Sequence, residues 1–288
     1  MLTGAGVWEA STGAPSATAA NSKASVSATG SVANAHRASA SGPPAEAHPA
    51  TAPSTVAAVF YPNATDHSCS AGVIASSTRD LLITAAHCLN GDGTGMTVVP
   101  GYDSGKRPYG TWSVVAVFVD RAWSSTQSEA DDFAIMRVAP QIVGGQMQKL
   151  QNVTGAVSLG TTPTQPTAMT VQGFNSGHND RSLACTTLIT TNNRGNPTFR
   201  CDGYVDGSSG SPWTVYGTND VERVIGVIGG RDQGGCKAQR SFSSPFGEGV
   251  MNLLTRAEGA GLDGDVAPAT PPSPACPQVT PPSPSTSS

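Results

Sequence analysis

The chain has 288 residues, a formal net charge of −4 and only 12% charged residues, about half of the usual share of about 25%. No cluster of Lys and Arg stands out, which argues against the basic face that nucleic acid or an anionic membrane requires. No apolar run approaches the roughly 18 residues of a membrane-spanning helix.

Residues 1–53 hold 16 Ala and 8 Ser but one Leu and no Ile or Phe. Such a segment buries too little apolar area to offset the entropy of ordering. It is expected to be a disordered leader or pro-segment. It also lacks the basic start and apolar stretch of an export signal, so that any such signal lies outside this sequence.

Residues 54–262 read as one globular domain. Short, largely β-branched runs lie at 56–61, 81–86, 96–99, 112–119, 133–138, 169–173, 183–190 and 224–228, separated by Gly, Asn, Asp and Pro. Many short strands with turn signals between them predict an all-β barrel or sandwich. One helix is predicted over 247–256, where Val250, Leu253 and Leu254 share a face. Residues 263–288 form a Pro/Ser/Thr-rich tail. Its last 23 residues hold 8 Pro and no charge, a composition that favours extended conformations.

Six cysteines, Cys69, Cys88, Cys185, Cys201, Cys236 and Cys276, contain no C-x-x-C pair. Their even number in a low-charge chain fits disulfides and an oxidising compartment. The spacing alone does not choose the pairing. The turn at 90–95, where glycines alternate with Asn90, Asp92 and Thr94, lacks the length and distal Glu of an EF-hand. No metal is expected. His67 and His178 are expected at the surface, and Trp112, Trp123 and Trp213 in packing positions.

Three segments carry chemistry. At 82–88 a β-branched strand runs through two alanines into His87. An imidazole at a strand edge titrates near pH 6.5 and can shuttle a proton, although a core His held by a carbonyl has the same local sequence. At 207–212 glycines flank Ser209. Such a loop can project a hydroxyl beside converging N–H groups, or be a plain surface turn. At 131–136 two acids precede an apolar strand, where a buried carboxylate could accept an imidazole N–H, or both acids could be solvated.

His, Asp and Ser follow one another in one β-rich domain. T-A-A-H-C at 84–88, D-F-A-I at 132–135, G-S-S-G-S-P at 207–212 and V-I-G-V-I-G-G at 224–230 together resemble the chymotrypsin-like, trypsin-fold serine peptidases. S-S-P-F-G at 243–247 adds a likeness to secreted actinobacterial members. The resemblance implies two antiparallel six-stranded β-barrels with a short C-terminal helix. It implies Ser209 as nucleophile, His87 as general base and Asp132 as orienting carboxylate, with Asp131 one register away. The amides of Gly207 and Ser209 would form the oxyanion hole. Gly203, Tyr204, Asp206, Ile228, Gly229 and Gly230 would line the substrate site. Cys69–Cys88 would pin the catalytic His and Cys185–Cys201 would lie in the second barrel, leaving Cys236 with Cys276.

The sequence departs from the family pattern in four places. Ser208 stands where animal trypsins carry an Asp before the nucleophile, and Ser211 where a second Gly is usual. Ile228 stands where glutamyl-type relatives carry a His, and Gly203 where trypsin carries the Asp that selects Arg and Lys. The expected protein is a secreted, monomeric endopeptidase that needs no cofactor, cleaves protein or peptide substrates, and has neither a nucleic-acid partner nor a membrane span. Its rivals are a catalytically silent protein-binding relative and an esterase.

Overall fold

Val56–Phe60 is a strand buried on both faces. Side chains alternate along a strand. Ala57 and Val59 therefore enter one apolar cluster, while Val56, Ala58 and Phe60 enter a second with Val99, Tyr102 and Phe174. The same two-sided burial in Leu81–Thr84 and Ala134–Val138 leaves these strands no solvent face, and they close into a barrel. The computed structural model describes residues 42–271 and Cys276, apart from Asn179, Asn193 and 218–220.

The closed barrel runs Val56–Phe60, His67–Val73, Leu81–Thr84, Ala134–Val138, Trp112–Val119, Thr97–Pro100 and back. The second half is an open eight-stranded sheet. Its central strands are Thr167–Gly173, Ser182–Thr191, Pro212–Tyr216 and Glu222–Val227. Met169 and Val171, two residues apart, face a core with Ile189, Phe199, Trp213 and Ile225, and Trp213 meets Phe199 edge-to-face at 5.0 Å. The sheet does not close like the first. Its end strands, Ser158–Leu159 and Ser241–Phe242, are two residues each and do not pair with one another.

The predicted helix spans Glu248–Gly259 and buries Val250, Leu253 and Ala257, an i, i+3, i+7 stripe. Two shorter helices, Arg121–Thr126 and Leu150–Thr154, are too brief for periodicity to reveal. The first has a local signal, Asp120, whose carboxylate accepts the Ala122 amide at 2.7 Å.

Part of the expected leader is in the fold. Ala45–Glu46 pairs with Cys201–Asp202, and His48–Ala50 pairs with Ser182–Ala184. Backbone pairing at a sheet edge needs no large apolar side chain, so an Ala/Ser composition does not forbid it. Residues 1–41 lie outside the described residues. Three disulfides join Cys69–Cys88, Cys185–Cys201 and Cys236–Cys276. No helix among the described residues is long and apolar enough to cross a membrane.

His67 is not a surface residue. It is fully buried, with Nε2 2.5 Å from Asp180 Oδ1, and its ring stands edge-on to Phe60, Tyr102 and Phe174 at 5.3–5.7 Å. Its polar neighbours in sequence hid this, because Asp180 and Phe174 arrive from the other half of the molecule. His178 is exposed, beside Asp66, and the tryptophans Trp112, Trp123 and Trp213 are buried.

Candidate active site

His87 sits in the one-turn 3-10 helix Ala86–Cys88 at the end of strand Leu81–Thr84. Small residues at 85 and 86 are both fully buried, which lets the chain turn sharply and places the imidazole at the barrel rim. Asp132 enters from the start of Ala134–Val138, the strand paired with Leu81–Thr84. Oδ2 lies 2.7 Å from His87 Nδ1, and Oδ1 accepts the His87 backbone amide at 2.9 Å. A carboxylate only accepts, so Nδ1 carries the proton of this contact.

Asp132 is fully buried, and an unpaired buried carboxylate would be costly. A third donor, the Gly230 amide at 2.7 Å from Oδ2, helps to satisfy it. The Asp132 amide in turn donates to Ser244 Oγ, which donates to the Glu129 carbonyl. Asp131 turns away and accepts from Ser128 Oγ at 2.7 Å. The register between the two acids is therefore decided for Asp132.

Ser209 comes from the second half. Its carbonyl accepts the Ser70 amide at 2.8 Å, and the Ser70 carbonyl accepts Thr84 Oγ1 at 2.8 Å. Ser70 neighbours Cys69, which is bonded to Cys88 next to His87. The Ser209 loop is thus docked on the strands that carry His87. Among the described residues no hydrogen bond joins the Ser209 hydroxyl to His87. Such contacts often tighten only when substrate binds.

Two glycines permit this docking. Gly207 has φ +90°, and a Cβ there would collide with the Ser176 amide. Gly210 has φ +81°, and a Cβ there would collide with the Ser70 carbonyl and Thr84 Oγ1. Among the described residues, the amides of Gly207 and Ser209 donate to no protein acceptor. Ser208 and Ser211 are buried, and Ser211 Oγ donates to the Ser208 carbonyl at 2.6 Å. Ser211 fits because residue 173 is Gly: a Cβ there would collide with Ser211 Oγ.

A cavity of about 340 Å³ adjoins Ser209. Tyr204, Asp206, Ile228, Gln233, Lys237 and Cys276 contribute to its wall. Tyr204 donates its hydroxyl to the Val171 carbonyl at 2.9 Å, and burial raises its pKa far above the usual phenol value. Gly203, Gly229 and Gly230 do not line this cavity. Gly229 packs instead behind Asp132 and Gly230 donates to it. Gln233 and Lys237 were not read from the sequence as cavity residues, while the expected Cys236–Cys276 pairing brings the tail to this wall. No group of three or more His, Cys, Asp or Glu among the described residues is placed to hold a metal.

The trypsin family model matches residues 43–246. The chain belongs to the trypsin family. As a trypsin-family member it is a serine-type endopeptidase, with protein or peptide substrates. The protease Anisep from Arthrobacter nicotinovorans is 20% identical with a TM-score of 0.61, covering 74% of this chain and 99% of that one. A Glu endopeptidase is 16% identical with a TM-score of 0.56, covering 74% and 97%. A mutant of human heparin binding protein is 19% identical with a TM-score of 0.54, covering 78% and 100%. These likenesses are likenesses of fold. No curated protein sequence matches this trypsin-family chain.

Proposed function

We propose that this trypsin-family peptidase works through Ser209, His87 and Asp132 and passes through an acyl-enzyme. Ser209 Oγ attacks the peptide carbonyl while His87 Nε2 takes its proton. The carbonyl oxygen gains negative charge and is held by the Gly207 and Ser209 amides, each worth about 10²–10³ in rate. The C–N bond breaks, and His87 gives its proton to the leaving amine. Water then attacks the ester, again with His87 as base, and the acid leaves. Asp132 keeps the proton on Nδ1 and stabilises the imidazolium; it does not itself take a proton.

The observation that carries this reading is the double hold of the fully buried Asp132 on His87, through Oδ1 and Oδ2. The amides of Gly207 and Ser209, which donate to no acceptor among the described residues, support the oxyanion role. Three disulfides with no free cysteine among the described residues support secretion into an oxidising compartment. The Gly at 203 and the Ile at 228 speak against strong selection of basic or acidic residues by the routes known in relatives. The proposed form is a monomer that needs no cofactor and binds no nucleic acid.

Incubation of the pure protein with casein, and acid quench with an activated ester, test the proposal. Casein cleavage together with an acyl adduct on Ser209 in the mass spectrum is expected. Intact casein and an unmodified Ser209 would overturn it. A second reading, a silent binding module, draws on Ser208 in place of the usual Asp and on the likeness to a heparin binding protein; it predicts intact casein.

A further inference from the structure

After the C-terminal helix the chain turns back onto the barrel. The Asp265 amide donates to the Val117 carbonyl, and its Oδ2 accepts the Val119 amide and Arg256, all at 2.8 Å. Ala267 exchanges two backbone hydrogen bonds with Gly91, at 2.7 and 2.9 Å, and is buried. Gln127, on the barrel side, donates to the Ala269 carbonyl at 3.0 Å. Gln233, in the loop that follows strand Glu222–Val227, donates to the Pro271 carbonyl at 2.7 Å. Cys276 is bonded to Cys236. One segment is therefore fastened to both halves of the molecule.

Its path touches both cavities beside the catalytic groups. A cavity of about 370 Å³ is lined by His87, Tyr61, Leu89, Met96, Ala269 and Thr270. The Cys236–Cys276 pair lines the cavity of Ser209. A peptide drawn through the cleft, with its scissile carbonyl at Ser209, presses a neighbouring side chain against this wall.

We infer that Ala269 and Thr270 are specificity-determining, bounding a subsite beside His87 that takes an uncharged apolar substrate side chain, and that the Cys236–Cys276 bridge holds the segment carrying them in place. The inference rests on the serine-peptidase reading above. The chemistry of the wall sets the preference. Tyr61, Pro62, Leu89, Met96 and Ala269 offer apolar surface, and among the described residues no Asp, Glu, Lys or Arg lines the cavity. A Lys or Glu entering it would lose water without gaining an ionic partner. Pro268 and Pro271 restrict the backbone of the segment, so the wall is held by chain stiffness as well as by hydrogen bonds.

The test uses fluorogenic peptides that differ at one position at a time, with Leu, Gly or Lys there. Wild type, Ala269→Trp and a Cys236→Ser/Cys276→Ser double variant are compared. Ala269 is exposed, so Trp there leaves the core intact. At one position wild type is expected to prefer Leu over Gly and Lys by about tenfold or more in kcat/KM. Ala269→Trp should remove most of that preference, and the double variant should flatten it. A small fluorophosphonate should label all three at similar rates. If labelling proceeds but the Leu-to-Gly ratio is the same in wild type and both variants, or wild type prefers Lys, this inference falls alone. If wild type is neither labelled nor active, the peptidase reading falls with it.

Discussion

Asp132 grips His87 at two points, the ring through Oδ2 at 2.7 Å and the backbone amide through Oδ1 at 2.9 Å. One carboxylate thereby fixes both the position of the 3-10 turn and the tautomer of the ring. The Gly230 amide, from the open sheet's side, binds the same Oδ2 at 2.7 Å, so this contact also ties the two halves together.

Replacing Asp132 by Asn tests that grip. An amide nitrogen would face N–H donors and favour the wrong tautomer, so kcat should fall by about 10³–10⁴. Stability should drop by about 1–3 kcal/mol, since buried donors lose an acceptor. Asp131→Asn should leave kcat within about twofold, because the Asp131 carboxylate accepts from Ser128 Oγ and not from His87. Peptide hydrolysis and urea midpoints for both variants check this. Equal losses would mean that the register is misread.

The Gly207 prediction contrasts two glycines with similar backbone. Gly207→Ala must move the loop away from Ser176, and Gly195→Ala, at φ +83°, meets only open space. The first should lower kcat by about 10² or more, the typical effect of losing an oxyanion donor. The second should cost only about 1 kcal/mol of stability and no activity. Steady-state kinetics and thermal melts separate the two. Full activity in Gly207→Ala would remove that amide from the oxyanion hole.

Tyr204 makes a pH prediction. Burial raises its folded pKa, so above about pH 10 the unfolded chain ionises while the folded chain stays neutral. Folding stability from this group is complete below that pH and falls as pH rises, by about 1.4 kcal/mol per unit. Between pH 10 and 11, where the unfolded phenol is only partly ionised at the start, wild type should lose about 1 kcal/mol more than Tyr204→Phe. At pH 7 the variant should be about 1 kcal/mol weaker, having lost the bond to Val171. Urea midpoints at pH 7, 10 and 11 give both numbers; parallel alkaline slopes would contradict the assignment.

The closed barrel and the segments holding His87, Asp132 and Ser209 were legible because each needs a local pattern: β-branched runs, small residues before a turn, glycines around an exposed hydroxyl. What the sequence hid is non-local. His67 looks polar in context, yet Phe174 and Asp180 enclose it from over a hundred residues away. Gly229 and Gly230 were read toward substrate alone, and their contact with Asp132 comes from the first half of the molecule. The strands at 45–50 and the fastening of the tail at Gly91 depend on backbone partners, which side-chain periodicity does not encode.

The central claim is that the Ser209 hydroxyl is an activated nucleophile. Fluorophosphonate labelling of wild type, Ser209→Ala and His87→Ala measures it most directly. Wild type should be labelled at one residue, Ser209→Ala not at all, and His87→Ala more slowly by about 10³ or more. Labelling of Ser209→Ala at the wild-type rate, or no labelling of any of the three, would contradict the account.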